Sequence, residues 1–204
     1  MKRLFLLSIL SIACVSMMAQ ENNDLNFKRW EHNIYVGIGR PFFSEQNFNF
    51  DDIPLTGKIG YGLNYYLTSK HSLQTGVSYY FSAEHGFHSY DGGNDEFYEF
   101  LDIPLLYQYH VQDNKNIISF GIGPVLSFVM NDQDLYIDAI PITIKDVSRR
   151  FNLLVQPSVR FKHKHFIIGL EGNIGLLNMN KPKEGWTIQD KYIHSIILTT
   201  GVSF

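Results

Sequence analysis

The sequence predicts an all-β fold, an eight-stranded antiparallel up-and-down transmembrane β-barrel. Three observations carry that expectation. Past Asn33 the chain alternates large apolar residues with small or polar ones at period two, with no helical periodicity. Several alternating segments reach about 11–13 residues, longer than the ~5–6 of soluble strands and close to what a tilted membrane strand needs. The connections alternate short and long, and rings gather toward both ends of the apolar face. Alternation alone fits a soluble β-sandwich equally well, so strand length, connections and rings decide.

In chain order, residues 1–19 read as a secretory signal peptide. Lys2 and Arg3 form the basic region, Leu4 to Val15 the apolar run, and Ala19 the small residue at the cleavage edge. The run is shorter than the ~20 residues of a spanning helix. Cys14 is the one cysteine, and Ser11-Ile12-Ala13 before it lack the Leu usual at a lipoprotein site. The rest of the chain therefore has neither disulfides nor a cysteine metal site. Residues 20–31, polar and ending near Trp30, form a short periplasmic lead-in, and residues 32–204 form the barrel domain.

The first four strands fall at about 32–42, 56–67, 72–82 and 97–111. In the second, Ile59, Tyr61, Leu63 and Tyr65 oppose Lys58, Gly60, Gly62 and Asn64. In the fourth, Leu101, Ile103, Leu105, Tyr107 and Tyr109 oppose Asp102, Pro104, Leu106 and Gln108. The last four run at about 118–128, 151–161, 166–176 and 192–204. Short turns sit at Thr68–His71, Gln112–Asn116 and Lys162–His165, and long connections at about 43–55, 83–96, 130–148 and 179–190. Outer-membrane barrels keep short turns in the periplasm, which places both termini there. Tyr65, Tyr109, Phe161, Phe166 and Phe204 mark an aromatic girdle near the short turns. Tyr79, Phe81, Phe97, Phe128, Phe151 and Tyr192 mark a second near the long connections. The strand run ends at Phe204, so no peptidoglycan-binding domain is expected after it.

The run Phe100-Leu101-Asp102-Ile103-Pro104-Leu105-Leu106-Tyr107-Gln108-Tyr109 resembles a recurrent segment of the Bacteroidota outer-membrane β-barrel family, the PorT-like group. Gly121-Ile122-Gly123-Pro124 looks like that family's following strand, and Ala19-Gln20 is similar to its signal end. The resemblance spans about residues 32–204 and implies a Gram-negative outer-membrane barrel. Some members assist protein secretion across the outer membrane, though no motif here singles out that role. Phe204, with Val202, Leu198 and Ile196 on its face, looks like the terminal signal read by outer-membrane assembly machinery.

Eight strands leave an interior just wide enough for side chains to fill. Lys58, Asp102, Gln156, Arg160 and Glu171 fall on the inward face. Unpaired charges there are costly, so Lys58 and Arg160 are expected to find Asp102 and Glu171, directly or through water. A packed polar plug is the expectation, with a polar conduit as the competing reading. Pro104, Pro124 and Pro157 fall inside expected strands, where bulges would accommodate them.

Charge and motifs narrow the rest. Lys plus Arg is 17 against 20 for Asp plus Glu, a net −3, so there is no basic excess for nucleic acid. Acidic outer loops (Glu45, Asp51, Asp52; Glu84, Asp91, Asp95, Glu96; Asp132, Asp134, Asp138, Asp146) beside lipopolysaccharide read as solvated rather than as a specific ion site. His85 and His88 share a loop, and His163 and His165 flank Lys164, but no third ligand joins either pair. No metal or other cofactor is expected. Lys70, Lys162 and Lys164 suggest instead a periplasmic rim that attracts phospholipid headgroups. Ser82, Ser89, His85, His88 and Asp91 invite a lipid-modifying reading, but no Gly-x-Ser-x-Gly elbow occurs, so no enzyme is expected.

The expected partners are outer-membrane lipid and lipopolysaccharide, the assembly machinery and a protein partner the sequence does not name. The expected function is a structural or interaction component of the outer membrane, a secretion-assembly accessory being one form of it. A small transporter or lipid-handling barrel is the alternative.

Overall fold

A computed structural model of the chain describes residues 29–43, 55–83, 97–113, 115–130, 134–137, 140–143, 149–179 and 190–204. The signal-peptide and most of the lead-in expectations lie outside them, as do the outer-loop acids other than Asp134 and the Ser89, His85, His88 and Asp91 group.

The strands are β1 (Trp30–Phe43), β2 (Thr56–Tyr66), β3 (His71–Ala83), β4 (Phe97–Asp113), β5 (Asn116–Ile122), β6 (Pro124–Val129), β7 (Asp134–Ile137), β8 (Ile140–Thr143), β9 (Phe151–Val155), β10 (Ser158–His163), β11 (Phe166–Gly175) and β12 (Ile193–Ser203). β5 continues into β6, and β9 into β10, so ten of these strands make eight staves. Every pairing is antiparallel, and β1 pairs with β12 from Asn33↔Ser203 to Phe43↔Ile193, which closes the ring. The fold is a closed eight-stranded antiparallel β-barrel. β7 and β8 form a separate hairpin within the third long connection, where the sequence predicts no strand. β1 also starts at Trp30, inside the expected lead-in, because Trp30 and Glu31 pair with Tyr65 and Asn64.

The barrel is inside-out relative to a soluble protein. Ile38, Ile59, Val77, Leu105, Ile122, Val159, Ile168 and Leu198 are exposed, one on each stave. Lys58, Gln74, Asp102, Gln108, Asn152, Gln156, Arg160 and Glu171 are buried. A sandwich would bury the large face, so the outward turn of these residues rules that reading out. A continuous apolar belt of this kind is what a lipid-facing surface requires.

The prolines are absorbed differently from the expectation. A bulge would put an extra residue into one strand and shift the register. Here Tyr107↔Ile122 and Pro104↔Val125 lie three residues apart along both strands, so β4 stays in step across the β5–β6 break. The same holds across the β9–β10 break, between Pro124↔Val155 and Ser158↔Gly121. The β3–β4 ladder skips Gly76–Val77 opposite Ile103–Pro104, between Thr75↔Leu105 and Ser78↔Asp102. Missing rungs, without inserted residues, accommodate the absent N–H groups. The breaks are narrow, since Gln156 N–H still donates to Gly123 O at 2.8 Å and Gly172 N–H to Pro157 O at 2.9 Å. Glycine permits the close approach, because a Cβ on Gly123 would lie 2.1 Å from the Leu105 carbonyl oxygen.

Candidate functional site: the filled lumen

Period-two alternation along β11 turns Ile167, Gly169, Glu171, Asn173 and Gly175 inward, and Glu171 ends fully buried. Lys58 on β2 reaches its Oε2 at 2.8 Å, and Arg160 on β10 reaches its Oε1 at 2.6 Å. One carboxylate thus receives both cations. Tyr35 on β1 closes the group, with its ring centroid 5.7 Å from Lys58 Nζ and 5.8 Å from Arg160 Cζ. Gly169 makes room for the arginine stem, as a Cβ there would lie 2.9 Å from Arg160 Cγ. Asp102 takes a different direct partner, accepting from Ser127 Oγ at 2.5 Å, yet it lies within electrostatic range of Lys58 and Glu171. Two cations and two carboxylates share the middle of the barrel, which limits the desolvation penalty of each. Gln156 is buried too, but it is not joined to this group, and its side-chain Oε1 accepts no hydrogen bond among the described residues.

Arg160 extends the group toward the short turns. Its Nη1 donates to Gln74 Oε1, and Gln108 Nε2 donates to the same oxygen at 2.6 Å. Ser72 Oγ donates to Gln108 Oε1 at 3.1 Å and meets His110 Nε2 at 2.8 Å, and His110 Nδ1 meets Ser119 Oγ at 2.8 Å. The His110 ring packs on Tyr66 at 5.0 Å. At the same end Lys162 pairs with Glu31. Alternation marked Gln74 and Gln108 as inward; their meeting with Arg160 depends on strand stagger, which alternation does not encode.

Toward the long connections the lumen turns apolar. Tyr80, Phe100, Met179, Ile193 and Ile197 form a buried cluster with Val129 packed against it. Beneath it lies a cavity of about 10 Å³ whose lining includes Ser127, Asn152, Asn173 and Ser195, roughly the room one water needs. Met179 had no signal in the sequence, because it falls where a loop was expected.

The ring residues stand on the outer surface near the two rims. Tyr109, Phe161 and Phe166 are exposed near the short turns, and Tyr65 is half-buried with its ring 4.6 Å from Trp30. Tyr79, Phe128 and Phe151 are exposed and Phe81 half-buried near the other rim, where Phe128 and Phe151 pack at 5.4 Å. His32 and His71 each share a 2.5 Å hydrogen bond with a tyrosine, Tyr61 and Tyr107. Phe204 is exposed, stacked on His32 at 5.6 Å, and hydrogen-bonded to it through both backbones at 3.0 Å.

No protein-family model and no curated protein matches the chain. Solved structures do. The outer-membrane enzyme PagL superposes with a TM-score of 0.51 at 10% identity, over 83% of this chain and 98% of PagL. This is an outer-membrane barrel fold. Neisserial surface protein A (NspA) superposes with a TM-score of 0.54 at 8% identity, over 86% of this chain and 96% of NspA. At such identities the likeness concerns the fold, and no catalytic residue carries over.

Proposed function

We propose that this is a small outer-membrane β-barrel protein with a plugged polar lumen, a structural or interaction component of that membrane. The observation that carries the reading is the pairing of an apolar belt on all eight staves with a lumen filled by side chains. The belt requires hydrocarbon around it, and the filling leaves no wide aqueous path. The start of β1 and the end of β12 meet at the short-turn rim. In the usual barrel orientation that rim faces the periplasm, and the four long connections face outward, where a partner would meet them. A transporter needs a wet path, and a lipid-handling barrel needs an open seam. The apolar cluster over the lumen and the paired β1–β12 seam favour neither.

The test is conductance. Refolded protein in a planar bilayer is expected to leave the current at the bare-bilayer level; steady ion conductance well above it overturns the plug. A secretion-assembly role is the finer form of the proposal. Native mass spectrometry of gently extracted protein is expected to show a stoichiometric protein partner, and a bare or lipid-only barrel argues against that form.

A further inference from the structure

The short-turn rim carries an arrangement of charge that neither the lumen nor the belt explains. β10 and β11 are joined by the two-residue turn Lys164-His165, and β4 and β5 by a turn that includes Lys115. The two turns are stitched together. Lys164 N–H donates to Lys115 O at 3.3 Å, and His163 Nδ1 meets Asn116 Oδ1 at 2.7 Å. Two exposed lysines thereby sit on hydrogen-bonded neighbouring turns, beside the exposed His163. Among the described residues neither lysine forms an ion pair; Glu31 is paired with Lys162, and Asp113 stands at the end of β4 on the same turn as Lys115. Lys164 also has φ 57, the one positive-φ residue other than glycine among those described. A hairpin position of that kind favours Asn or Gly, so the lysine there runs against local backbone preference.

Directly below this polar edge β5, β10 and β11 turn apolar side chains outward. Phe161 pairs with Ile118 on one side and Ile168 on the other, and Phe166 is 69% exposed. A paired cationic edge above an exposed aromatic and aliphatic column matches a molecule with an anionic phosphate and acyl chains.

We propose that Lys115 and Lys164, with His163, seat the phosphate of an anionic glycerophospholipid whose chains lie along Phe161, Ile118 and Phe166. The inference rests on the membrane-barrel reading, and it names one lipid class and one position on the rim. Two ammonium groups supply the charge, and the linked turns lower the entropy cost of bringing them together by fixing the backbone that carries them.

The test uses the full barrel in nanodiscs of zwitterionic phosphatidylcholine with a minor fraction of phosphatidylglycerol, released and counted by native mass spectrometry. Wild-type protein is expected to retain phosphatidylglycerol above its bulk fraction. K115Q and K164Q are each expected to lower that enrichment about fivefold, and together to abolish it. Lys70→Gln, on a different short turn, is expected to change it less than twofold. Equal enrichment in wild type and the double variant overturns the site, as does an equal loss in Lys70→Gln. Inorganic phosphate is titrated in parallel; if it displaces the lipid at millimolar concentration, the site takes free phosphate and the lipid assignment is overturned. Failure of the barrel to insert into bilayers is scored separately, by heat-dependent gel mobility. That result would sink the membrane reading itself, whereas an inserted barrel without enrichment sinks only this inference.

Discussion

At Glu171 a single carboxylate holds two cations that reach it from opposite sides, Lys58 on β2 and Arg160 on β10. Glu171→Gln therefore leaves two buried cations short of charge, and is expected to cost about 3–5 kcal/mol. Equilibrium unfolding in urea from lipid vesicles measures it, and Lys58→Met in the same background should recover part of the loss. An unchanged midpoint in Glu171→Gln would show that Asp102 alone balances the group. Arg160→Lys is the subtler case. Lysine keeps the charge but not the second N–H that reaches Gln74, so a loss of about 1–2 kcal/mol is expected in the same assay. The residues of this centre were legible in the sequence as inward positions. Their pairing was not, because alternation gives the face of each residue while the partner across the lumen depends on stagger. Tyr35 is the clearest omission, since its neighbours in sequence do not reveal that Lys58 and Arg160 will flank its ring.

Between staves, the ladder breaks set what substitution can do. Gly123 lies where β4 and the β5–β6 stave press together, and a Cβ would meet the Leu105 carbonyl oxygen at 2.1 Å. Gly172 lies across the neighbouring break, yet a Cβ there meets Pro157 Cγ at an ordinary 3.4 Å. Gly123→Ala is expected to lose about 1–3 kcal/mol because backbone must move, whereas Gly172→Ala is expected to stay within about 0.5 kcal/mol. Denaturant midpoints of the two variants side by side decide it, and equal midpoints would show that the break yields freely. Strand positions were readable almost residue by residue, since Ile118 to Phe128 and Phe151 to Phe161 alternate throughout except at the inward Val125 and Leu154. The way the prolines fit was not. A sequence shows that an N–H is missing but not whether the opposing strand stays in step. The β7–β8 hairpin escaped for a related reason: strands of four residues carry too short an alternation to register.

The molecule as a whole is a filled lumen, polar toward the short turns and apolar toward the long connections, wrapped in a sheet and then in an apolar belt. Folded barrel in mild detergent is expected to run at a different gel mobility from boiled barrel and to give a β-type circular dichroism spectrum. Identical mobilities together with a helical spectrum would contradict the fold. The belt and the architecture were legible because period two extends over whole staves. The location of the apolar plug was not, because Met179 comes from a connection and meets Tyr80 and Phe100 only after closure.

The seam between β1 and β12 carries a kinetic consequence. Its rungs join Asn33 to Ser203 and Phe43 to Ile193, residues separated by almost the entire described chain. No local nucleus can contain that contact, and until it forms both outermost strands expose unpaired backbone that hydrocarbon tolerates poorly. Partial assemblies are therefore penalised at every stage but the last, and loss of the final strand should forfeit the whole barrel rather than one stave of it.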